Sequence, residues 1–140
     1  MGILGTKSEV GKDILVYKVV GTHDEILKYE IISSFIVTVG QFKDVSLRIR
    51  LQEQNIGLGG GLAILIASTA YVSKYSIVGA GRVVKHNVFV NAGAVIGKGC
   101  IINAFSNIEH DVTFGDYCHI ATGVMIKGYC SIKMGVAIGS

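Results

Sequence analysis

The sequence contains no proline, and only 16% of its 140 residues are charged. Its net charge of +3 and its scattered Lys and Arg do not indicate a nucleic acid or an anionic membrane as partner. Its longest apolar stretch, Leu62 to Ala67, is too short to span a bilayer. The first residues, MGILGTKSEVGKD, lack the layout of a secretion signal. These absences leave a globular chain of one domain, or of one domain and part of another.

Cysteine is also scarce, with three residues and no paired spacing. An odd number without CxxC favours a reducing, cytoplasmic location over a disulfide scaffold. We interpret all three cysteines, Cys100, Cys118 and Cys130, as packing residues of a core.

Glycine, in contrast, is abundant, with 19 residues that need a structural reason. From Ile66 onwards an apolar and mostly β-branched residue recurs every six positions. The series is Ile66, Val72, Val78, Val84, Val90, Ile96, Ile102, Ile108, Phe114, Ile120, Ile126, Ile132 and Ile138. Four residues after each comes a second series of small or medium-sized residues, in which Arg82 is the exception.

A period of six fits neither a helix nor a single strand, and it is typical of a parallel β-helix. Three hexads close one triangular coil, so each apolar residue stacks on its counterpart three hexads later, in the next coil. The corners between strands need residues that tolerate unusual backbone angles. Those positions hold Gly79, Gly81, Asn87, Asn91, Gly93, Gly97, Gly99, Asn103, Asp111, Gly115, Gly123, Gly135 and Gly139. The pattern therefore predicts a mainly β fold, a left-handed parallel β-helix over residues 62–140.

Residues 1–61 lack the six-residue pattern and predict a partial Rossmann-like α/β domain. We expect strands over Val16–Val20 and Phe35–Val39, a helical turn over Thr22–Lys28 and a helix over Lys43–Gln54. The glycine-rich tract Gly57–Gly61 precedes a strand rather than a helix, so it predicts a linker rather than a phosphate-binding loop.

Polar residues interrupt the β-helix pattern at Asn107-Ile108-Glu109-His110-Asp111 and at Tyr117-Cys118-His119. His110 lies at a predicted corner between the inward Ile108 and Val112, so its side chain is expected to point outwards. Either flanking carboxylate could hold one ring nitrogen and leave the other free as a general base. A solvated corner histidine without function is the alternative interpretation.

His119 follows half a coil later, on another side of the prism. If both histidines serve one pocket, they must come from neighbouring subunits, which favours a three-fold oligomer with sites at its interfaces. His86 is expected at a different corner, as a surface residue.

The run INxxxxIEHDxxxGDxxHIxxG within GKGCIINAFSNIEHDVTFGDYCHIATGV resembles the hexapeptide-repeat acyltransferases. The resemblance is strongest to the bacterial sugar acetyltransferases that modify sialic acids or UDP-4-amino-sugars. It covers nearly the whole chain, because VGKDILVYKVVGTHDEIL and FIVTVG resemble that family's small substrate domain.

The resemblance implies acetyl transfer from acetyl-CoA to an amine or hydroxyl of a sugar or nucleotide sugar, by a homotrimer and without a metal. His110 matches the general base, and Asp111 matches its acidic neighbour. His119 matches a residue that contacts acetyl-CoA, and Gly139 and Ser140 match the wall of the cofactor channel.

The chain also departs from the family. It lacks the opening strand and glycine-rich loop, has Ala67-Ser68 in place of a His-Pro pair, and stops in the middle of a hexad. It resembles a family member truncated at both ends. With an uncovered sheet edge at its last coil, the chain is expected either to be marginally stable and associate through that edge, or to pack end to end.

Two other functions stay open. One is a non-catalytic trimeric β-helix that has lost its substrate and cofactor pockets. The other is a zinc hydro-lyase of the carbonic anhydrase kind, which needs three histidines on one metal. The expected placement of His86, His110 and His119 at different corners is unfavourable for it.

Overall fold

A computed structural model describes residues 1–29, 33–39 and 44–140. From Leu65 onwards the chain forms thirteen strands of two residues each, separated by corners. They are β6 (Leu65–Ile66), β7 (Tyr71–Val72), β8 (Ile77–Val78), β9 (Val83–Val84), β10 (Phe89–Val90), β11 (Val95–Ile96), β12 (Ile101–Ile102), β13 (Asn107–Ile108), β14 (Thr113–Phe114), β15 (His119–Ile120), β16 (Met125–Ile126), β17 (Ser131–Ile132) and β18 (Ala137–Ile138).

The thirteen strands form three parallel sheets. Sheet A has the order β16-β13-β10-β7, sheet B the order β17-β14-β11-β8, and sheet C the order β18-β15-β12-β9-β6. Every pair is offset by three hexads, as in Phe89↔Asn107 and Ile101↔His119. The predicted coil length and the predicted left-handed parallel β-helix are thereby confirmed.

The core of the β-helix is the apolar series with period six. Val90, Ile108 and Ile120 are fully buried, and each such side chain contributes roughly 1.5–3 kcal/mol. Ile66 is exposed because β6 lies at the end of its sheet, where, among the described residues, β9 is its single partner strand. The positions of the series that stack on both neighbouring coils are at most 2% exposed, so this stacking gives the deepest burial.

The second series of the repeat, four residues after each apolar position of the first, brings cysteine and one arginine into this core. Cys100 and Cys118 are buried, as expected of packing residues, whereas Cys130 in the last coil is exposed. Arg82 is also buried, and its Nε donates to the carbonyl oxygen of Gly97. Burial lowers the pKa of Arg82 to about 10, because a charged guanidinium is poorly solvated there.

The corners repeat a left-handed backbone conformation every six residues, from Gly81 to Gly135. The positions are Gly81, Asn87, Gly93, Gly99, Phe105, Asp111, Tyr117, Gly123, Tyr129 and Gly135. Glycine adopts this conformation freely, and Asn and Asp adopt it more readily than other residues. For an aromatic residue it costs on the order of 1–2 kcal/mol. The composition of the corners predicted seven of these positions, and the three aromatic ones were missed.

The N-terminal segment contains β1 (Ile3–Gly5), β2 (Asp13–Ile14) and β3 (Tyr17–Thr22), with β1 and β3 parallel. The strand predicted over Val16–Val20 is thus found one to two residues later. The turn predicted after it is a 3₁₀ helix, His23–Lys28, at whose start the Thr22 N–H donates to Glu25 Oε2 at 2.9 Å.

Two other predictions for this segment need correction. The strand predicted over Phe35–Val39 is found only as β4 (Ser34–Phe35), which pairs with β5 (Gly61–Leu62), because residues 36–39 pair with no strand of the described part of the chain. The predicted helix is α1 (Ser46–Gly57), while Lys43 lies outside the described residues. Among the described residues, no helix is long and apolar enough to cross a membrane.

Helix α1 is packed on the corner where sheet B turns into sheet C. Arg48 is buried and donates from Nη2 to the carbonyl oxygen of Tyr117 at 2.5 Å. Glu53 Oε1 accepts from the Tyr117 hydroxyl at 2.6 Å and from Lys98 Nζ at 2.8 Å. These polar contacts attach the N-terminal segment to the β-helix. Strand β5 still pairs with β4 of the N-terminal segment, whereas the next strand, β6, pairs with β9 of the β-helix. The division into domains 1–61 and 62–140 stays a prediction.

Candidate active site

His110 lies at the corner between β13 of sheet A and β14 of sheet B. The buried Ile108 and Val112 on either side fix the backbone of this corner. The imidazole therefore points away from the core, with 49% of the side chain exposed. The outward direction expected from the repeat is found, and the side chain is open to a reactant.

Asp111 is the residue that contacts the ring. Its Oδ2 lies 3.1 Å from Nδ1 of His110, and its φ of 56° gives the corner its left-handed turn. An ionised carboxylate only accepts hydrogen bonds, so Nδ1 carries the proton and Nε2 keeps its lone pair. A neutral imidazole in this tautomer is a proton acceptor at Nε2.

Glu109, the other flanking carboxylate, has different partners. Asn91 Nδ2 donates to Oε2 at 3.1 Å, and Asn107 Nδ2 donates to Oε1 at 3.0 Å. The hydrogen bond from Asn91 has the largest effect and lowers the pKa of Glu109, and the hydrogen bond from Asn107 lowers it further. Glu109 thus joins two coils beside the candidate base, and of the two flanking carboxylates it is Asp111 that contacts the imidazole.

Two residues of the next coil complete the surroundings of His110, and neither was predicted from the sequence. A Cβ at Gly128 would lie 2.7 Å from Cε1 and 2.8 Å from Nε2, so the ring occupies the space of an absent side chain. The ring of Tyr129 stands nearly perpendicular to the imidazole, with 5.0 Å between centroids. The coil length could have identified both residues, because Gly128 follows His110 by three hexads and therefore lies next to it in the following coil.

His119 lies on the outer side of sheet C and is 9% exposed. Its Nε2 is 2.8 Å from Nδ2 of Asn103, which also donates to the Ile120 carbonyl at 2.7 Å. Burial lowers the pKa of His119, and the positive charges of Arg48 and Lys85 lower it further. The lowered pKa favours the neutral imidazole of His119, which lies on a different side of the prism from His110.

Gly139 and Ser140 follow β18, at the far end of sheet C. Both are exposed, and a Cβ at Gly139 would contact no atom within 4 Å. Within one chain they lie nearer to the sheet of His119 than to the corner of His110. The cofactor-binding roles of His119, Gly139 and Ser140 stay predictions, as do the catalytic roles of His110 and Asp111.

His86 is exposed, as expected, and its Nδ1 lies 2.9 Å from the Thr69 hydroxyl. No group of three or more His, Cys, Asp or Glu side chains that could hold a metal ion occurs among residues 1–29, 33–39 and 44–140. The geometry of the described residues thus adds no support to a zinc hydro-lyase.

Residues 93–128 match the family described as bacterial transferase hexapeptide (six repeats). This range includes His110, Asp111 and His119. No curated protein sequence matches the chain.

Two sets of solved structures share the fold. The acetyltransferase domain of PglB from Neisseria gonorrhoeae FA1090, in complex with acetyl coenzyme A, is 24% identical with a TM-score of 0.81, over 97% of this chain and 73% of that chain. A mutant GDP-perosamine N-acetyl transferase from Caulobacter crescentus, in complex with CoA and GDP-perosamine, is 25% identical with a TM-score of 0.71, over 96% of this chain and 69% of that chain. In that mutant a histidine is replaced by alanine.

The predicted resemblance to hexapeptide-repeat acetyltransferases is therefore confirmed, and it covers the N-terminal segment as well as the β-helix. The finer likeness to enzymes that modify sialic acids stays a prediction.

Proposed function

We propose that this protein is an acetyltransferase that moves the acetyl group of acetyl-CoA to an amine or hydroxyl of a sugar or nucleotide sugar. The observation that carries the proposal is the hydrogen bond between His110 Nδ1 and Asp111 Oδ2 at a half-exposed corner. The similar structures add support, since PglB is described with acetyl coenzyme A and the Caulobacter enzyme with CoA and a nucleotide sugar.

In this proposal Nε2 of His110 accepts the proton of the acceptor's amine or hydroxyl as that group attacks the thioester carbonyl carbon. Asp111 stabilises the imidazolium that forms and keeps Nδ1 protonated. The C–S bond then breaks, and the proton on Nε2 is available to the departing thiolate of CoA. The step leaves an acetylated sugar and free CoA, and His110 returns to its neutral form.

The surroundings of His110 suit an approaching thioester. The absence of a side chain at Gly128 gives the imidazole its place beside the next coil, and Asp111 is a charged group in contact with the ring. When bound, acetyl-CoA supplies the activated acyl group, and His119, Gly139 and Ser140 are the residues we propose to hold it.

We propose further that the active assembly is a homotrimer whose sites combine two chains. His110 lies at the corner between sheets A and B, whereas His119 lies on sheet C, so one chain does not present both to one groove. The outer side of sheet A carries Tyr71, Phe89 and Met125 in exposed positions, which suits a subunit contact. A cytoplasmic location, which keeps the three cysteines reduced, belongs to the same proposal.

Calorimetric titration with acetyl-CoA tests the donor site, with His119→Ala as the variant expected to bind more weakly. Transfer of the acetyl group to amino-sugar nucleotides, monitored through the release of the CoA thiol, tests the reaction. We expect His110→Asn to lower kcat by about 10²–10⁴-fold while the affinity for acetyl-CoA stays the same. Absence of binding at millimolar acetyl-CoA would contradict the proposal and favour a non-catalytic β-helix.

Mixing the His110→Asn and His119→Ala variants, at an acetyl-CoA concentration too low for His119→Ala to be active, tests the shared site. If each site takes His110 from one chain and His119 from its neighbour, trimers reassembled from equal amounts of His110→Asn and His119→Ala protomers regain about a quarter of the activity. Sites built within one chain would regain none.

A further inference from the structure

Three of the ten left-handed corner positions between Gly81 and Gly135 hold an aromatic residue in place of Gly, Asn or Asp. These are Phe105, Tyr117 and Tyr129, with φ values of 61°, 60° and 63°. Strain of this kind persists where another contact compensates for it, and such residues occur often at functional sites. The contact made by each aromatic ring therefore indicates why it is there.

For Tyr117 the compensation is evident. The ring is buried under α1, and its hydroxyl donates to Glu53. Tyr129 has no comparable burial, because 77% of the residue is exposed. The apolar area that Tyr129 removes from water is thus too small to account for a tyrosine at this corner.

The contact that Tyr129 does make is with His110. The two rings are T-shaped at 86°, and the Tyr129 N–H donates to the His110 carbonyl oxygen at 3.2 Å. Phe105 has the same backbone conformation and is 64% exposed, yet it has no aromatic contact among the described residues. The placement of Tyr129 is therefore specific to the corner that carries the candidate base.

We propose that Tyr129 is a positioning residue that fixes the plane of the His110 imidazole. A half-exposed histidine held only at Nδ1 can rotate about its Cβ–Cγ bond. Asp111 at Nδ1, the backbone of Gly128 against the Cε1 edge and the perpendicular ring of Tyr129 hold the imidazole from three directions. With this rotation restricted, Nδ1 stays on Asp111 and Nε2 stays available to the acceptor.

The catalytic consequence of this positioning rests on the proposed transferase activity, but the tautomer of His110 does not. We would record the side-chain ¹⁵N signals of His110, assigned by comparison with His110→Gln, in the full chain. The wild type is expected to hold the proton on Nδ1. In Tyr129→Asn the signals should move towards the tautomer mixture of a free imidazole, and kcat should fall by about 10–100-fold with KM for acetyl-CoA within about twofold.

Three further variants make the result specific. Tyr129→Phe keeps the ring and should behave as the wild type, because the aromatic ring of Tyr129 is what packs against His110. Tyr129→Gly removes the ring with a second residue that tolerates positive φ, so that a folding defect of one variant does not decide the outcome. Phe105→Asn, the matched change at an equally exposed corner, should leave the His110 signals unchanged.

Unchanged His110 signals in both folded variants that lack the ring would overturn the proposal, and so would a Tyr129→Phe variant that behaves like Tyr129→Asn. A tautomer shift in a protein without transferase activity would contradict the proposed function and still support the positioning role. The two failures are therefore distinguishable.

Discussion

The imidazole of His110 lies directly against the backbone of Gly128, three hexads later in the chain and one coil further along the β-helix. A Cβ on Gly128 would approach Cε1 to 2.7 Å, closer than carbon atoms pack. The atoms affected belong to a half-exposed side chain rather than to the backbone, so the ring can move aside. This contact makes position 128 a test of the site that leaves the fold intact.

Gly128→Ala is expected to displace the His110 ring and to lower kcat by about 10²-fold, since a misplacement of about 1 Å has an effect of that size. The free energy of unfolding should change by less than about 1 kcal/mol. Steady-state kinetics and urea unfolding measure the two effects. Gly57→Ala, at the end of α1 with no atom near its Cβ, is the control and should retain full activity. Equal activity in both variants would contradict the assigned site.

Gly97→Ala is expected to destabilise the protein by about 3 kcal/mol, because overpacking against backbone is poorly relieved. A Cβ at residue 97 would lie 2.5 Å from the carbonyl oxygen of Gly115 in the next coil. Unfolding in urea measures the loss, with Gly57→Ala again as the control. A stability equal to that of the wild type would mean that these two coils are further apart than described.

The docking of α1 depends on the Tyr117 hydroxyl. Tyr117→Phe removes the hydrogen bond to Glu53 and should lower the free energy of unfolding by about 1 kcal/mol. Lys98→Met should have a smaller effect, since the Lys98–Glu53 ion pair is exposed and screened by water. Chemical denaturation of both variants gives the comparison. The reverse order of effects would show that α1 is held by the ion pair instead.

Stability should fall as the pH is lowered below about 6.5, the usual pKa of histidine. The pKa of His119 is lowered in the folded protein, first by burial, so the unfolded chain binds its proton more readily. The contribution of His119 is therefore fully present above the unfolded pKa and is lost as the pH falls towards the folded one. Urea unfolding at pH 7 and pH 5 measures the slope.

In His119→Gln this slope should become shallower, because the group whose pKa is lowered in the folded protein has been removed. If His119→Gln keeps the wild-type slope, His119 is not the group that titrates.

The architecture was available from the sequence because the β-helix repeats one local rule. An apolar residue at every sixth position and permissive residues at the corners determine a coil of three hexads, and the coil length determines which residues stack. The outward direction of His110, between Ile108 and Val112, followed from that rule alone. So did the position of His119 on a different side of the prism.

What the repeat does not specify was decided by tertiary structure. The side chains of Arg48, Gln52 and Asn55 are buried, although their polarity suggests a solvent-facing side of α1. Their burial depends on which corner the helix meets, and no local pattern encodes that contact. The same holds for Tyr129, whose residue type argues against a left-handed corner. The sequence by itself thus determined the coil and the candidate base, and the packing of non-repeating side chains against the corners decided what surrounds that base.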